Sequence, residues 1–327
     1  MSTNTNKKRV LVIQPLHAAG MAMLEQRDDI EIIQCDSLDE DVIAEAAKDV
    51  HAMTVRAAKI TKRIMDAAPD LMVVSRHGVG YDAVDLNTLT QRNIPLCIAV
   101  HSNMISVAEQ AMALLLGLAK DMFYYDDVTR RDGWPNRWPT RAVDIEGKKI
   151  LIVGFGRIGS QVAKRALGFD MQVYGYDPYI DQKIMTDAGV EPVSNYNSVL
   201  GDMDAVAIHC MKTTETTNMF STEQFQKMKS DAFLVNCARG GIVDEDALHS
   251  ALTSGEIRAA GLDVLLDEPS SADHPLFKLK NIILSPHIAG VTVESTQRMA
   301  TQTVDNVLRV FDGNIDPDCV VNSDVLK

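Results

Sequence analysis

The sequence predicts an α/β protein of two doubly wound, parallel-sheet domains, one inserted into the other. Three observations carry this. Short apolar runs alternate with helix-period stretches along most of the 327 residues, the pattern of βα units around a parallel sheet. The alternation breaks once and restarts at "KKILIVGFGRIG". Finally, the tail "IDPDCVVN" has the character of the first strands, so the chain is expected to cross between domains twice. The expected boundaries are 1–103 with 292–327 for one domain and 104–291 for the other.

In the first domain "RVLVIQP" reads as a strand, followed by a helix over 17–26, "IEIIQC", a helix near 39–48 and "AMTVR". "LMVVSRHGVG" ends in a glycine turn, and "IPLCIAV" closes the set. Ser106 and Glu109 have the spacing of a capping box, in which each side chain satisfies a free amide, and are expected to open a long helix. "YDDVTRRDGWPNRWPT" shows neither period and reads as an extended arm. Its two tryptophans suit a subunit contact. The second series runs through "QVYGYDP", "DAVAIHC", "AFLVNCARGG", "AAGLDV" and "NIILSPH", and the last helix is expected over 293–311.

A net charge of −13 argues against nucleic acid or an anionic membrane as the main partner, since both attract concentrated positive charge. Five scattered cysteines without a C-x-x-C point to a reducing compartment and no structural zinc. The polar start "MSTNTNKKR" lacks the apolar core of a signal peptide, and the longest apolar run, 111–119, is too short to span a bilayer. A cytoplasmic protein without a metal site is the expectation.

"ILIVGFGRIGSQVAKRALG" places Gly154, Gly156 and Gly159 in G-x-G-x-x-G spacing between a strand and a helix. Such glycines permit the tight turn, the approach of backbone to a pyrophosphate and close helix–strand packing, while the helix N-terminus supplies amides to the phosphates. Asp177 follows at the end of the next strand, where a carboxylate accepts from ribose hydroxyls and repels a 2′-phosphate. NAD is therefore the expected cofactor. The Arg157 side chain either faces the pyrophosphate or lies in solvent, and its amide is the stronger candidate.

Arg239, Glu268 and His287 each stand at or just beyond a strand end of this second series, the edge where open α/β sheets bind ligands. Read singly, the arginine neutralises carboxylates, the glutamate is solvated and the histidine is a hydrogen-bonded structural residue. Read jointly with the glycine motif, they supply a carboxylate anchor, a proton donor and a group that holds the donor charged.

These stretches, "VGFGRIG", "NCARGGIVDEDAL", "GLDVLLDEP" and "SPHIAGVTVES", together with "SRHGVGYDAVDL" and "NMISVAEQAMALLLGLAK", resemble the NAD-dependent D-2-hydroxyacid dehydrogenases over nearly the whole chain. The likeness is strongest to phosphoglycerate dehydrogenases and hydroxypyruvate or glyoxylate reductases. It implies a Rossmann NAD-binding domain inserted into a flavodoxin-like substrate domain, a cleft between them, and a homodimer through the cofactor domain. It further implies that Arg239 binds substrate carboxylate and carbonyl, that His287 is general acid in reduction and base in oxidation, and that Glu268 favours its charged form. Asp263 would orient the nicotinamide carboxamide. Val107, Ile158, Cys210, Thr213, Thr216, Cys237, Ala238 and Gly290 would line the cofactor, and Arg56, Arg76, His77, Gly78 and Val79 the substrate.

The chain departs from the pattern at Met211-Lys212, where Pro-Leu is usual, at His101-Ser102, where phosphoglycerate dehydrogenases have Gly-Gly, and at Gln110, where histidine is common. Arg56 stands where those enzymes use an arginine for the substrate phosphate, so a small anionic or hydroxylated acid such as 3-phosphoglycerate or hydroxypyruvate is expected. The regulatory domains that some members carry beyond this point are not expected after Lys327. Corepressors of the same family suggest an NAD(H)-sensing scaffold as the alternative.

Overall fold

Apolar β-branched runs need cover on both faces when they pair in parallel, and the computed structural model, which describes residues 7–131, 133, 134, 138 and 140–327, has two such sheets in two compact units. The first unit spans 1–103 and 291–327, the second 104–290.

The first unit begins β1 (Lys8–Ile13), α1 (Ala18–Glu25), β2 (Ile30–Cys35), α2 (Glu40–Ala46), β3 (Ala52–Val55), α3 (Lys62–Asp66), β4 (Val73–Arg76), α4 (Leu86–Gln91) and β5 (Leu96–Ile98). Its five strands are parallel in the order β2-β1-β3-β4-β5, the flavodoxin order. Alternate β1 side chains serve two cores. Leu11 and Ile13 pack with Ile43, Ile64 and Leu89, while Val10 and Val12 face the other way, and all four are fully buried.

The second unit contains α5 (Met104–Ala119), α6 (Met122–Arg131), β6 (Lys149–Val153), α7 (Arg157–Gly168), β7 (Gln172–Tyr176), α8 (Gln182–Asp187), β8 (Glu191–Pro192), β9 (Ala205–Ile208), α9 (Thr222–Lys227), β10 (Phe233–Asn236), α10 (Glu245–Ser254), β11 (Ala259–Leu262) and β12 (Ile282–Leu284). The sheet order β12-β11-β10-β9-β6-β7-β8 is the Rossmann order counted from β6, with one strand added beyond the sixth. Ile150, Ile152 and Val235 pack on α5 and α7 through Leu114, Leu115 and Val162; Leu151, Val206 and Leu234 pack on α9 and α10 through Phe225 and Leu248. A Cβ at Gly261 would stand 3.0 Å from that of Leu114, so α5 lies close on β11.

The chain then returns to the first unit as α11 (Val293–Phe311), which covers the Val10–Val12 face with Ala300, Val304 and Val307. Its crossing with α1 is tight, since a Cβ at Gly20 would lie 2.8 Å from Ala300 O. The tail joins β5 through the Val321 amide to Leu96 O, 2.9 Å, and through Asn322, which pairs with Leu96 N and Ile94 O.

Two expectations fail. The capping box at Ser106 is absent, because α5 starts at Met104 and puts Ser106 inside its first turn, while Glu109 is exposed and pairs with Arg165 at 3.3 Å. The first half of the expected extended arm is helical. Asp126–Arg130 and Asp127–Arg131 form i,i+4 pairs on α6, which has no buried residue. Residues 132, 135–137 and 139 of that arm lie outside the described residues; Trp134 and Trp138 are exposed. No described helix is long and apolar enough to cross a membrane.

Candidate active site

In the second unit, the glycines do three different jobs. Gly154 has φ +92°, and a Cβ there would meet Cys210 N at 2.5 Å; one at Gly159 would meet Gly154 O at 1.9 Å. Around Gly156 nothing lies within 4 Å of the Cβ position, and it N-caps α7 without any side-chain cap. The helix start is open at the exposed Gly156 and Arg157, and its first amides have no partner within the helix, a fit for a pyrophosphate. Asp177 follows β7, and its carboxylate accepts from Phe155 N and Tyr179 N, both at 2.9 Å, which fixes it beside the glycine turn.

Beyond β9, Thr216 Oγ1 donates to Met211 O and accepts from Thr213 N, both at 2.7 Å. The two threonines therefore shape the turn where Pro-Leu is missing. Burial pushes the half-buried Cys210 thiol up to about 11. Cys237 and Ala238 are buried after β10, and Val107 packs in the core against α5's neighbours.

At the ends of β10, β11 and β12 the remaining groups converge. Asn236, 1% exposed, accepts from Ala238 N at 2.9 Å and donates to Arg239 O at 3.0 Å, holding the turn that carries Arg239. A Cβ at Gly240 would overlap Leu265 O, so that turn packs directly on the loop carrying Glu268. Glu268 Oε1 accepts from Leu265 N at 2.9 Å, and Oε2 lies 2.6 Å from His287 Nδ1. Burial pushes the Glu268 carboxyl up, but the His287 hydrogen bond, the Leu265 amide and the charges of His287 and Arg239 together hold it below the usual carboxylate range. The His287 side chain remains half exposed and lines a pocket of about 660 Å³ together with Asp263, Leu265, Phe277 and Leu284. A charge-supported imidazole beside an open pocket can give or take a proton.

His287 itself has φ 54°, an uncommon conformation for a residue with a Cβ. Its amide donates to Asp263 O at 2.8 Å. The buried Asp263 carboxylate accepts from Ser285 Oγ (2.6 Å), Ile288 N (3.0 Å) and Ala289 N (2.9 Å). Three of its roughly four lone-pair positions are therefore committed to the loop, with one left for a ligand. Sequence reasoning missed this loop-holding use of Asp263, and missed Asn236 and Ser285 altogether; the Asn before "CARGG" and the Ser before Pro286 were the available signals.

In the first unit, β3 and β4 pair Val55 with Arg76, which sets Arg56 and His77 side by side beyond the same edge. The exposed Arg56 donates to Pro15 O at 2.9 Å, and the Arg76 guanidinium donates to His77 O. Gly78 has φ +124°, and a Cβ there would strike Arg76 Nη1, so this guanidinium lies over the turn that leads to Val79. Burial, then the charges of Arg56 and Arg76, push the His77 imidazole down to about 4. His209, in the second unit, is half-buried with both ring nitrogens buried and unpartnered, and burial likewise pushes it down to about 4.

A glycine turn before an open helix start, a carboxylate after the next strand and a histidine–glutamate pair stand on one parallel sheet, the arrangement of a dinucleotide-binding α/β protein. The chain belongs to the D-isomer specific 2-hydroxyacid dehydrogenase family, whose NAD-binding-domain model matches residues 112–289. It is 36% identical over 308 residues to D-3-phosphoglycerate dehydrogenase of Methanocaldococcus jannaschii, covering 94% of this chain and 58% of that one. It thus spans little more than half the length of that relative. It is 35% identical to glyoxylate reductase of Korarchaeum cryptofilum, covering 98% of both. The NAD-dependent formate dehydrogenase of Staphylococcus aureus in complex with NAD superposes with a TM-score of 0.83 at 28% identity, over 95% of this chain and 98% of that one. The second unit contains the NAD-binding domain of this family.

The glycine geometry predicts opposite outcomes at two positions. Gly156→Val is expected to melt like the native protein and lose NADH binding, whereas Gly159→Val is expected to unfold the second unit. Thermal melts with NADH fluorescence titrations check this, and an equal loss of melting temperature in both would overturn it.

His77 and His209 predict acid sensitivity. Both fold as neutral rings with depressed affinity for protons, while the unfolded chain protonates them near pH 6.5. Their contribution is whole above about 6.5 and is lost as pH falls toward about 4. Urea midpoints should drop across that window, and His77→Gln should flatten the drop; an unchanged midpoint from pH 7 to 5 would refute it.

Proposed function

We propose that the protein catalyses reversible hydride transfer between NAD(H) and a small D-2-hydroxy or 2-oxo acid. The observation that carries this reading is the His287–Glu268 pair at 2.6 Å, beside Arg239 on the sheet edge that bears the dinucleotide fingerprint. NAD(H) bound along that edge supplies or accepts the hydride. In reduction, His287 protonates the carbonyl oxygen while Arg239 stabilises its developing negative charge; in oxidation, His287 takes the hydroxyl proton. Glu268, held as a carboxylate, favours the protonated ring and orients it through Nδ1. We assign the first unit the substrate role, with the amides of Gly78 and Val79 for the carboxylate.

Arg56, Arg76 and the neutral His77 make the first unit's edge electropositive, which favours an acid with a second anionic or hydroxylated group, such as 3-phosphoglycerate or hydroxypyruvate. The relatives above are named as dehydrogenases and reductases, which favours catalysis over an NAD(H)-sensing scaffold. We also assign a homodimer through the NAD-binding unit. Met122, Phe123, Trp134 and Trp138 are 57–75% exposed on one segment, an apolar display that a monomer rarely keeps.

NADH oxidation with phosphohydroxypyruvate, hydroxypyruvate, glyoxylate, sulfopyruvate and pyruvate tests the reaction. One acid should turn over, Arg239→Ala should lose it, and Glu268→Gln should move the alkaline limb of the reduction profile to lower pH. No turnover with NADH still bound would sink the hydride-transfer reading. Light scattering should give twice the monomer mass, and Phe123→Asp with Trp138→Asp should halve it; a monomeric native protein would remove the dimer.

A further inference from the structure

The loop from Val264 to Leu276 carries Glu268, and its two flanks are tied to one carboxylate on the opposite helix. Glu245, in the first turn of α10, accepts from Leu266 N at 2.6 Å through Oε1 and meets His274 Nε2 at 3.0 Å through Oε2. Both side chains are largely buried, 13% and 19% exposed, so water competes little for their hydrogen bond. The ring's tautomer follows from its other nitrogen. His274 Nδ1 accepts from Leu276 N at 3.3 Å, so the proton sits on Nε2 and points at Glu245. The His274 ring also lies 5.2 Å from that of Phe277, which lines the His287 pocket. Glu245 thus bonds the chain two residues before Glu268 and six residues after it. Glu268 in turn spends one oxygen on Leu265 N, the neighbour of the braced amide, and the other on His287.

We propose that Glu245 and His274 are positioning residues for the acid–base pair, bracing the loop on both sides of Glu268. This rests on the proton-transfer reading of His287. Neither residue reaches the pair directly; they fix where the Glu268 backbone starts and ends. A carboxylate is required at 245 because two donors converge there. Glutamine can accept from Leu266 N but presents an NH₂ to His274 Nε2, whose proton cannot move to Nδ1 without opposing Leu276 N–H.

Glu245→Ala should lower kcat by about tenfold to a hundredfold, the scale of a 1 Å misplacement, while leaving the KM for NADH near its native value. The alkaline limb of the reduction profile should shift to lower pH, as in Glu268→Gln. The double variant should be no worse than Glu268→Gln alone, because both act on one interaction. Independently of turnover, hydrogen exchange should speed up across 264–276 and stay native in β6–β10. His274→Ala should move each readout the same way, and His274→Gln, whose amide can still donate to Glu245, should restore them. Native exchange in Glu245→Ala, or a double variant whose losses multiply, would overturn the brace. If Glu245→Ala fails to fold, the His274 pair decides by the same readouts. If the native protein reduces no 2-oxo acid, the hydride-transfer reading fails, while the exchange data still decide the brace.

Discussion

Asp263 is 1% exposed at the end of β11, and its carboxylate receives Ser285 Oγ and the amides of Ile288 and Ala289. A buried carboxylate left without donors would cost several kcal/mol, so these bonds and the burial require each other. Their effect is on the residue between them. His287 adopts a left-handed backbone that a residue with a Cβ resists by about 1–2 kcal/mol. It does so because the segments before and after it are both fastened to Asp263. With the backbone so turned, Nδ1 meets Glu268; the contact of imidazole and carboxylate is thus a product of an aspartate outside the pair.

The same logic of fixed ends recurs along the sheet edge. Asn236 fastens the Arg239 turn, the Thr213–Thr216 knot shapes the segment after β9, and Asp177 joins the glycine turn to Tyr179 N. Parallel strands deliver every one of these turns to the same side, which is why short polar side chains suffice to organise a large site. The two imidazoles held neutral, His77 and His209, are the groups the fold strips of water without giving them a carboxylate.

Much of this was legible in the residues. The glycine spacing, the strand before it and Asp177 after it gave the dinucleotide site because each residue type answers a local backbone demand. Arg239, Glu268 and His287 were legible as edge residues, since strand ends can be read from apolar runs. What escaped was whatever depends on a partner distant in sequence. Asp263 looks like any acid after a strand until residues 285–289 return to it. Glu245 looks like an ordinary first-turn acid until Leu266 and His274 arrive. Ser106 shows the converse error: its spacing to Glu109 mimics a cap, yet α5 begins two residues earlier and Glu109 turns to Arg165. On α6 the charges pair along an exposed helix with no buried residue.

The return of α11 after residue 290 sets an order on synthesis. The sheet of the first unit emerges from the ribosome early, but the face made by Val10, Val12 and Val73 is covered only in part, by Leu16 and by Leu24 of α1, until Ala300, Val304 and Val307 exist. At about 5–20 residues per second, the intervening 104–290 segment takes on the order of 10–40 seconds to translate. The inserted unit is contiguous, and its core residues all lie within 104–290. The nascent chain therefore carries a sheet whose apolar face is closed only when the last helix is made.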